Sequence, residues 1–232
     1  MDRTIIKFNH CQKDIYRFTG LPSFANVDLE VPRENEFKQC PICFETLTFD
    51  LLNAPVSIPS PFANGHKVPC AFTIGSVHGP SFLGEWHDSE LHVGVTNSTG
   101  VVYNYTLSGL RRDDHGWEKC VSLQLVPPWR VNLKHSWDGE LEQFCSLSTW
   151  TPERFHEERE FGSRCYGFAL AFINHIHSLE GKTSLSRDEF TGTHILPRVK
   201  TVSKYIRVYQ EISQNGFYIA DQIENVNLKT DS

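Results

Sequence analysis

Hydrophobic positions in the C-terminal half of the chain are spaced as on the surface of a helix. Between Ser163 and Leu179 the apolar residues recur at steps of four and three, which places them on one helical face. They are Cys165, Ala169, Phe172, Ile176 and Leu179. A second such stripe begins at Pro197 and stops at Asn215-Gly216, a pair typical of a left-handed helix end. The pattern therefore predicts two amphipathic helices, 163–179 and 197–215.

Two further segments carry the signals of a helix start. Thr151-Pro152-Glu153 combines an N-cap residue, a proline at the first helical position and an acid in the first turn. Ser186-Arg187-Asp188-Glu189 has the serine and glutamate of a capping box. Each segment predicts that a helix begins there.

Short strands precede these helices. Leu91–Thr96 and Val101–Tyr105 flank the turn residues 97–100 and predict a hairpin. Other strands are predicted at Ala71–Ile74, at Cys120–Val126, which alternates apolar and polar residues, and at Phe217–Ala220. Strands followed by helices indicate an α+β fold with an antiparallel sheet packed against C-terminal helices.

Composition divides the chain into four predicted parts. Residues 1–54 form a small cysteine-containing subdomain, and residues 55–70 are rich in proline, which excludes a helix and a central strand there. Residues 71–222 form the α+β domain and residues 223–232 a polar tail.

Charge and cysteine content narrow the class of protein. The 232 residues carry 22 basic and 28 acidic side chains, a net charge of −6, which argues against a nucleic-acid partner. The densest apolar run, Tyr166–Ile173, is too short to span a bilayer, and the N-terminus shows no secretory segment. Seven cysteines without a secretory route predict reduced thiols in the cytoplasm or nucleus. No nucleotide fingerprint appears, so no organic cofactor is expected.

Four residues of the N-terminal part predict a structural zinc site. Cys40 and Cys43 have the two-residue spacing of a zinc knuckle, and His10 and Cys11 are the nearest further ligands. Adjacent residues of a strand point to opposite faces, so His10 and Cys11 can act together only if the chain turns at that point. The alternative is a fourth ligand from elsewhere, either His66 or Cys70. A zinc-ribbon-like subdomain is the expectation.

A second constellation predicts nucleophilic chemistry. Cys165 lies in the first turn of an apolar helix, where unpaired amides and the helix dipole favour a thiolate. His92 and Asn104, twelve residues apart around the predicted turn, are expected to be cross-strand neighbours on one face. If that face meets the helix, the three residues supply a nucleophile, a base and a residue that orients the base. The triplet Asp113-Asp114-His115 follows the hairpin. It could supply a carboxylate or a metal ligand, and the alternative is a solvated loop.

The hairpin and the cysteine helix resemble circularly permuted papain-like proteins, including the lecithin retinol acyltransferase-like group. The resemblance rests on Leu91–Val95, on Val101–Tyr105 and on Cys165–Leu170, in the order histidine, polar residue, cysteine. It implies a permuted papain-like fold in which Cys165 attacks an amide, thioester or ester, His92 acts as the base and Asn104 holds the ring. The partner would be an unknown protein or an acyl-bearing substrate. The alternative is a non-catalytic interaction module on the same scaffold.

Nearly the whole chain also resembles a narrower family, the makorin-2 opposite strand proteins. Four segments carry this similarity, namely Phe8–Cys11, Cys40–Cys43, Pro61–His66 and Ser203–Ile206. The family resemblance implies no particular activity.

Overall fold

A computed structural model describes residues 3–19, 39–51, 53–76 and 91–220 of the chain. The chain divides into two compact units, one formed by residues 1–60 with 204–232 and the other by residues 61–203. The polar tail predicted at 223–232 lies outside the described residues.

The second unit contains a five-stranded antiparallel sheet. Its strands are β4 (Ala71–Ser76), β5 (Leu91–Thr96), β6 (Val102–Thr106), β7 (Gly109–Asp113) and β8 (Val121–Gln124). They lie in the order β7-β6-β5-β4-β8. The predicted hairpin is thus β5–β6, and the glycine of its turn, Gly100, adopts a φ of 93°.

Two helices of this unit are α1 (Val131–Cys145) and α2 (Arg164–Leu179), and α2 packs on β5 and β6. Aromatic side chains fill the space between the helices, because Phe172 contacts both Trp137 and Phe144. Gly167 in the first turn of α2 permits a close approach, since a Cβ there would lie 2.0 Å from the Gly162 carbonyl oxygen. The start of α2 therefore rests directly on the preceding loop.

The C-terminal helical region follows the predicted signals. Ser186 and Glu189 form both hydrogen bonds of a capping box at the start of α3 (Arg187–Phe190). A short π-helix, Thr191–Ile195, leads into α4 (Leu196–Asn215), and Gly216 follows with a φ of 79°. Residues of α4 belong to both units.

The helix predictions need two corrections. The signals at Thr151-Pro152-Glu153 give only a single 3-10 turn, Pro152–Arg154, because no apolar stripe follows to hold a longer helix on the core. Conversely, α1 was not predicted, although its buried residues Trp137, Leu141 and Phe144 have helical spacing.

The first unit is built on a four-stranded antiparallel sheet. Its strands are β1 (Ile5–His10), β2 (Lys13–Phe18), β3 (Val56–Ile58) and β9 (Tyr218–Ala220), in the order β3-β1-β2-β9. β3 lies within the proline-rich segment 55–70 and stands at a sheet edge, where prolines are tolerated. β9 corresponds to the strand predicted at Phe217–Ala220.

Helices and antiparallel sheets together confirm the α+β class. None of the helices among the described residues combines the length and the apolar character that crossing a bilayer requires.

Candidate functional site

His92 and Asn104 meet across the β5–β6 hairpin. The strands pair Val95 with Tyr103 and Thr96 with Val102, and continuing this register sets His92 one diagonal step from Asn104. The His92 Nε2 lies 2.9 Å from the Asn104 Oδ1. The predicted cross-strand contact is therefore present.

Gly94 makes room for this contact. The same register sets Gly94 opposite Asn104, and a Cβ at Gly94 would lie 2.6 Å from Val102 Cγ1 and 3.3 Å from Asn104 Cβ. Both distances are shorter than ordinary van der Waals contact. The absence of a side chain at position 94 therefore lets the imidazole and the amide approach each other.

Cys165, the second residue of α2, faces the hairpin from the helix. Its thiol lies beside the His92 imidazole and near the backbone N–H groups of Val93 and Tyr166, close enough that all three lower its pKa. With Nε2 engaged by Asn104, Nδ1 is the ring nitrogen that remains for the thiol. The structure thus brings together the three residues that the sequence singled out.

The electrostatics of this pair favour charge separation. Burial opposes ionisation of the thiol, but the hydrogen bond and charge of His92 and the two backbone N–H groups outweigh it, so the pKa of Cys165 lies below its ordinary value. Burial likewise disfavours the imidazolium, yet Cys165, Asn104 and Asp113 together raise the pKa of His92. The two shifts have the directions of a thiolate–imidazolium pair.

Two residues lie behind Asn104: Asp113, which the sequence named only as a possible carboxylate source, and Trp117, which it did not mark as a site residue. The Asn104 Nδ2 donates to the Asp113 Oδ2 over 2.8 Å, and the Trp117 Nε1 donates to the same oxygen over 3.3 Å. The Trp117 ring also lies 5.7 Å from the His92 ring between centroids. Strand alternation in β7 would have indicated Asp113, because Asn104 pairs with Arg111 and Asp113 is its diagonal neighbour.

The backbone immediately before the thiol adopts an unusual conformation. Arg164 has a φ of 57°, in the left-handed region that residues with a Cβ rarely adopt, and its N–H donates to the Phe155 carbonyl over 3.2 Å. Such conformations persist where the surrounding structure enforces them, often at functional sites. Here the conformation fixes how Cys165 enters α2.

A second cluster, in the first unit, joins His10, Cys11, Cys40 and Cys43, whose ligand atoms all lie within 4.8 Å of one another. Cys11 and Gln12 have φ values of 52° and 59°, the two positive values of a tight two-residue hairpin turn between β1 and β2. This turn lets adjacent His10 and Cys11 face the same point. The alternatives His66 and Cys70 do not belong to the cluster.

The spacing within this cluster fits a tetrahedral metal. Zinc bonds of about 2.3 Å to sulfur and about 2.0 Å to nitrogen imply ligand separations of roughly 3.4–3.8 Å. The sulfurs of Cys11 and Cys40 are 3.9 Å apart, and the His10 Nδ1 lies 3.1 Å from the Cys11 sulfur and 3.6 Å from that of Cys43. The donor set, three thiols and one imidazole, is one that zinc prefers.

The Cys40 thiol is prepared for ionisation by its own turn. Burial opposes the thiolate, but the N–H groups of Cys43 and Ile42 and the neighbouring thiols of Cys43 and Cys11 lower the pKa of Cys40 to about 7. The Ile42 N–H lies 3.4 Å from the Cys40 sulfur. Metals bind the deprotonated thiol, so this turn favours a ligand.

The three cysteines outside these two clusters, Cys70, Cys120 and Cys145, have the opposite environment. Burial raises the pKa of Cys70 and of Cys120 to about 11 and that of Cys145 to about 12. All seven cysteines are free thiols. These three are therefore packing residues rather than nucleophiles.

Comparison with known proteins gives two similarities. The family model described as DUF4796 C-terminal matches residues 55–212. The human MKRN2 opposite strand protein is 39% identical over 221 residues, which cover 94% of this chain and 90% of the human protein. No solved structure matches the chain.

Proposed function

The chain belongs to the family of MKRN2 opposite strand proteins, as its sequence segments indicated, and we propose that it is a cysteine-dependent hydrolase or acyltransferase. The observation that carries the proposal is the hydrogen bond between His92 and Asn104, together with the Cys165 thiol beside the same imidazole. Its scaffold, in this proposal, is a permuted papain-like domain over residues 71–222, which follows a zinc-ribbon-like subdomain over residues 1–54.

The reaction proceeds through a thioester. The Cys165 thiolate attacks the carbonyl carbon of an amide, ester or thioester, and the His92 imidazolium gives its proton to the leaving group as the bond to that group breaks. His92, now neutral, then takes a proton from water or from an acyl acceptor, whose oxygen, nitrogen or sulfur attacks the thioester and releases Cys165. Asn104 holds the ring through Nε2 in both steps.

Electrostatics support this assignment of roles. A nucleophile paired with a base that a third group orients is the arrangement required for covalent acyl transfer. The lowered pKa of Cys165 and the raised pKa of His92 have one shared cause, the interaction of the two groups with each other, beyond the opposing effect of burial. The N–H groups at the start of α2 add to thiolate stability.

The test is covalent trapping at neutral pH. We expect an activated thioester to acylate Cys165 and mild alkylation by iodoacetamide at pH 7 to label it first, both read by peptide mass spectrometry. His92→Ala should slow both reactions by roughly 100-fold, since a positioned base contributes on the order of 10²–10⁴-fold. His115→Ala, which changes an exposed histidine paired with Asp114, is the matched control.

Failure of acylation in a folded protein, or equal alkylation of the wild type and His92→Ala, would reject the hydrolase. The scaffold would then serve as a non-catalytic interaction module.

We further propose that His10, Cys11, Cys40 and Cys43 hold a structural zinc ion. The cluster provides four protein ligands and thus leaves no open position for substrate, as in structural zinc sites. Because both this site and the Cys165 chemistry require reduced thiols, we place the protein in the cytoplasm or nucleus.

Metal analysis tests the zinc assignment directly. Protein purified without chelators should contain about one zinc per chain, and Cys40→Ser should lose it, whereas Cys145→Ser should retain it. Removing the metal should raise amide hydrogen exchange in β1 and β2, because binding of a structural zinc contributes to folding free energy. If the wild-type protein, with all four ligands present, binds no zinc when zinc is supplied, the proposed site is rejected.

A further inference from the structure

We propose that Asp113 is a positioning residue that fixes the orientation of the Asn104 amide and, through it, the tautomer of the His92 ring. This inference rests on the proposed thiol chemistry and deepens it. Trp117 donates to the same carboxylate oxygen.

The Asp113 carboxylate is fully engaged. Its Oδ2 accepts from the Asn104 Nδ2 at 2.8 Å and from the Trp117 Nε1 at 3.3 Å. Its Oδ1 lies 3.0 Å from the Arg111 guanidinium. The Asp113 side chain is only 15% exposed, whereas that of Arg111 is 59% exposed. The contacts that hold Asp113 towards the site are therefore the better shielded ones.

A carboxylate selects one of two amide orientations. An asparagine side chain offers an oxygen that accepts and an NH₂ that donates, and rotation by half a turn exchanges them. An ionised carboxylate only accepts, so Asp113 requires the NH₂ of Asn104 to face it. The oxygen of Asn104, which lies 2.9 Å from His92 Nε2, must then face the ring. Asn104 as a residue is only 1% exposed.

The orientation of the amide determines where the imidazole carries its proton. A ring nitrogen that faces an amide oxygen must be an N–H, so Nε2 is protonated in the neutral ring. The Nδ1 lone pair then remains for the Cys165 thiol. The reverse amide orientation would favour Nδ1–H and leave His92 unable to accept the proton of Cys165.

The negative charge of Asp113 also favours the charged form of His92. The charged and titratable groups that face this series among the described residues are Cys165 from α2, Asp113 from β7 and, on Asp113 itself, Arg111 from β7. Asp113 contributes to the raised pKa of His92 after the larger effects of burial and of the hydrogen bonds from Cys165 and Asn104. Its loss should reduce the fraction of thiolate at neutral pH.

The experiment measures the rate of Cys165 alkylation by iodoacetamide against pH in three proteins. They are the wild type, Asp113→Asn and the matched control Asp114→Asn. The control removes the same charge from the neighbouring residue, whose side chain is 83% exposed. We expect the midpoint for Asp113→Asn to rise by roughly half to one pH unit, so that labelling at pH 6 is about three- to tenfold slower. The midpoint for Asp114→Asn should stay at that of the wild type.

A second measurement keeps the inference testable if Asp113→Asn does not fold. Ring ¹⁵N shifts of His92 in the wild-type protein, above the pH at which the ring loses its charge, should show the Nε2–H tautomer. Finding the Nδ1–H tautomer there would overturn the inference.

The outcomes separate the two proposals. If the wild-type midpoint is depressed but Asp113→Asn leaves it in place, or Asp114→Asn shifts it equally, Asp113 has no positioning role and the thiol chemistry stands. If the wild-type midpoint lies at the ordinary value of about 8.5, Cys165 is not activated and the proposed function fails as well.

Discussion

The start of α2 and the end of α1 each carry a cysteine, and the two helices are in contact. Cys165 is the second residue of α2, and Cys145 is the last residue of α1. Burial opposes ionisation at both positions. The pKa of Cys165 nevertheless falls below its usual value, whereas that of Cys145 rises to about 12 through burial and the nearby Glu142, against the opposing Arg112.

This difference shows that burial alone does not decide what a cysteine can do. The N-terminal end of a helix presents N–H groups and positive potential, and the C-terminal end presents carbonyls and negative potential. Cys165 lies at the favourable end of its helix and also beside the His92 imidazole. Cys145 has neither, so a thiol of similar chemistry serves only in packing.

The largest expected effect comes from closing the space at the start of α2. In Gly167→Ala the new Cβ would lie 2.0 Å from the Gly162 carbonyl oxygen, so the helix start must move away from the loop. We expect a loss of about 3 kcal/mol in the free energy of unfolding, measured in urea, because such overpacking against backbone cannot relax locally. Neutral-pH labelling of Cys165 should fall in parallel.

The control for this variant is Gly139→Ala in α1, where nothing lies within 4 Å of the added Cβ. It should gain about 0.5–1 kcal/mol, because alanine is the better helix former. If Gly167→Ala changed the free energy of unfolding as little as Gly139→Ala does, the start of α2 would not need its close approach to Gly162.

A residue-resolved labelling experiment compares the two thiols directly. At pH 7 we expect iodoacetamide to alkylate Cys165 at least about 100-fold faster than Cys145, because the thiolate is the reactive form and the two pKa values lie on opposite sides of the ordinary one. Peptide mass spectrometry after short exposure gives the ratio. Equal alkylation rates of Cys165 and Cys145 in folded protein would show that the two helix ends do not differ in their effect on a thiol.

The pH dependence of stability isolates Cys145. Its folded pKa lies above the unfolded value, so above about pH 9 the unfolded chain releases a proton that the folded protein keeps, and stability falls as the pH rises. One thiol contributes a slope of up to about 1.4 kcal/mol per pH unit between roughly pH 9 and 12. Urea unfolding of Cys145→Ala across this range should show a slope that is smaller by that amount, whereas His115→Ala should keep the wild-type slope.

The smallest expected effect concerns the caps of two helices. Ser186 accepts a hydrogen bond from the Glu189 N–H, but Ser163 before α2 makes no side-chain capping bond. Ser186→Ala should therefore cost about 1 kcal/mol and Ser163→Ala less than about half of that. Equal costs in urea unfolding would mean that Ser163 competes with the Cys165 thiol for the amides at the start of α2.

Sequence alone predicts the elements whose ends carry local signals. The stripe from Cys165 to Ile176 indicated α2, the capping box at Ser186 indicated α3, and Asn215-Gly216 indicated the end of α4, since each signal acts within one or two turns. The start of α1 has no such signal, because Arg130 makes no side-chain capping bond, and Gly139 lowers the helix propensity of the segment. Its buried residues alone could have revealed it.

The site was predictable where two residues share one hairpin. His92 and Asn104 are related by a single short turn, so their spacing sufficed to pair them. Cys165 and His92 are more than 70 residues apart in the chain, so their contact depends on which face of the sheet α2 covers. The spacing does not indicate that face, and the expectation that it carries His92 came from the family resemblance. Asp113 was named only as a member of the triplet Asp113-Asp114-His115, because a second turn separates it from Asn104 and the sequence does not show which of the two acids faces inward.

The pairing of β2 with β9 has a consequence for the order of folding during synthesis. Tyr16 and Tyr218 are partners in one sheet but lie some 200 residues apart in the chain. Residues 61–203 are therefore complete and free to fold before the sheet of the first unit receives its last strand. Until then the outer edge of β2 has unpaired hydrogen-bonding groups exposed to other nascent chains, and a premature stop codon before Tyr218 would make that exposure permanent.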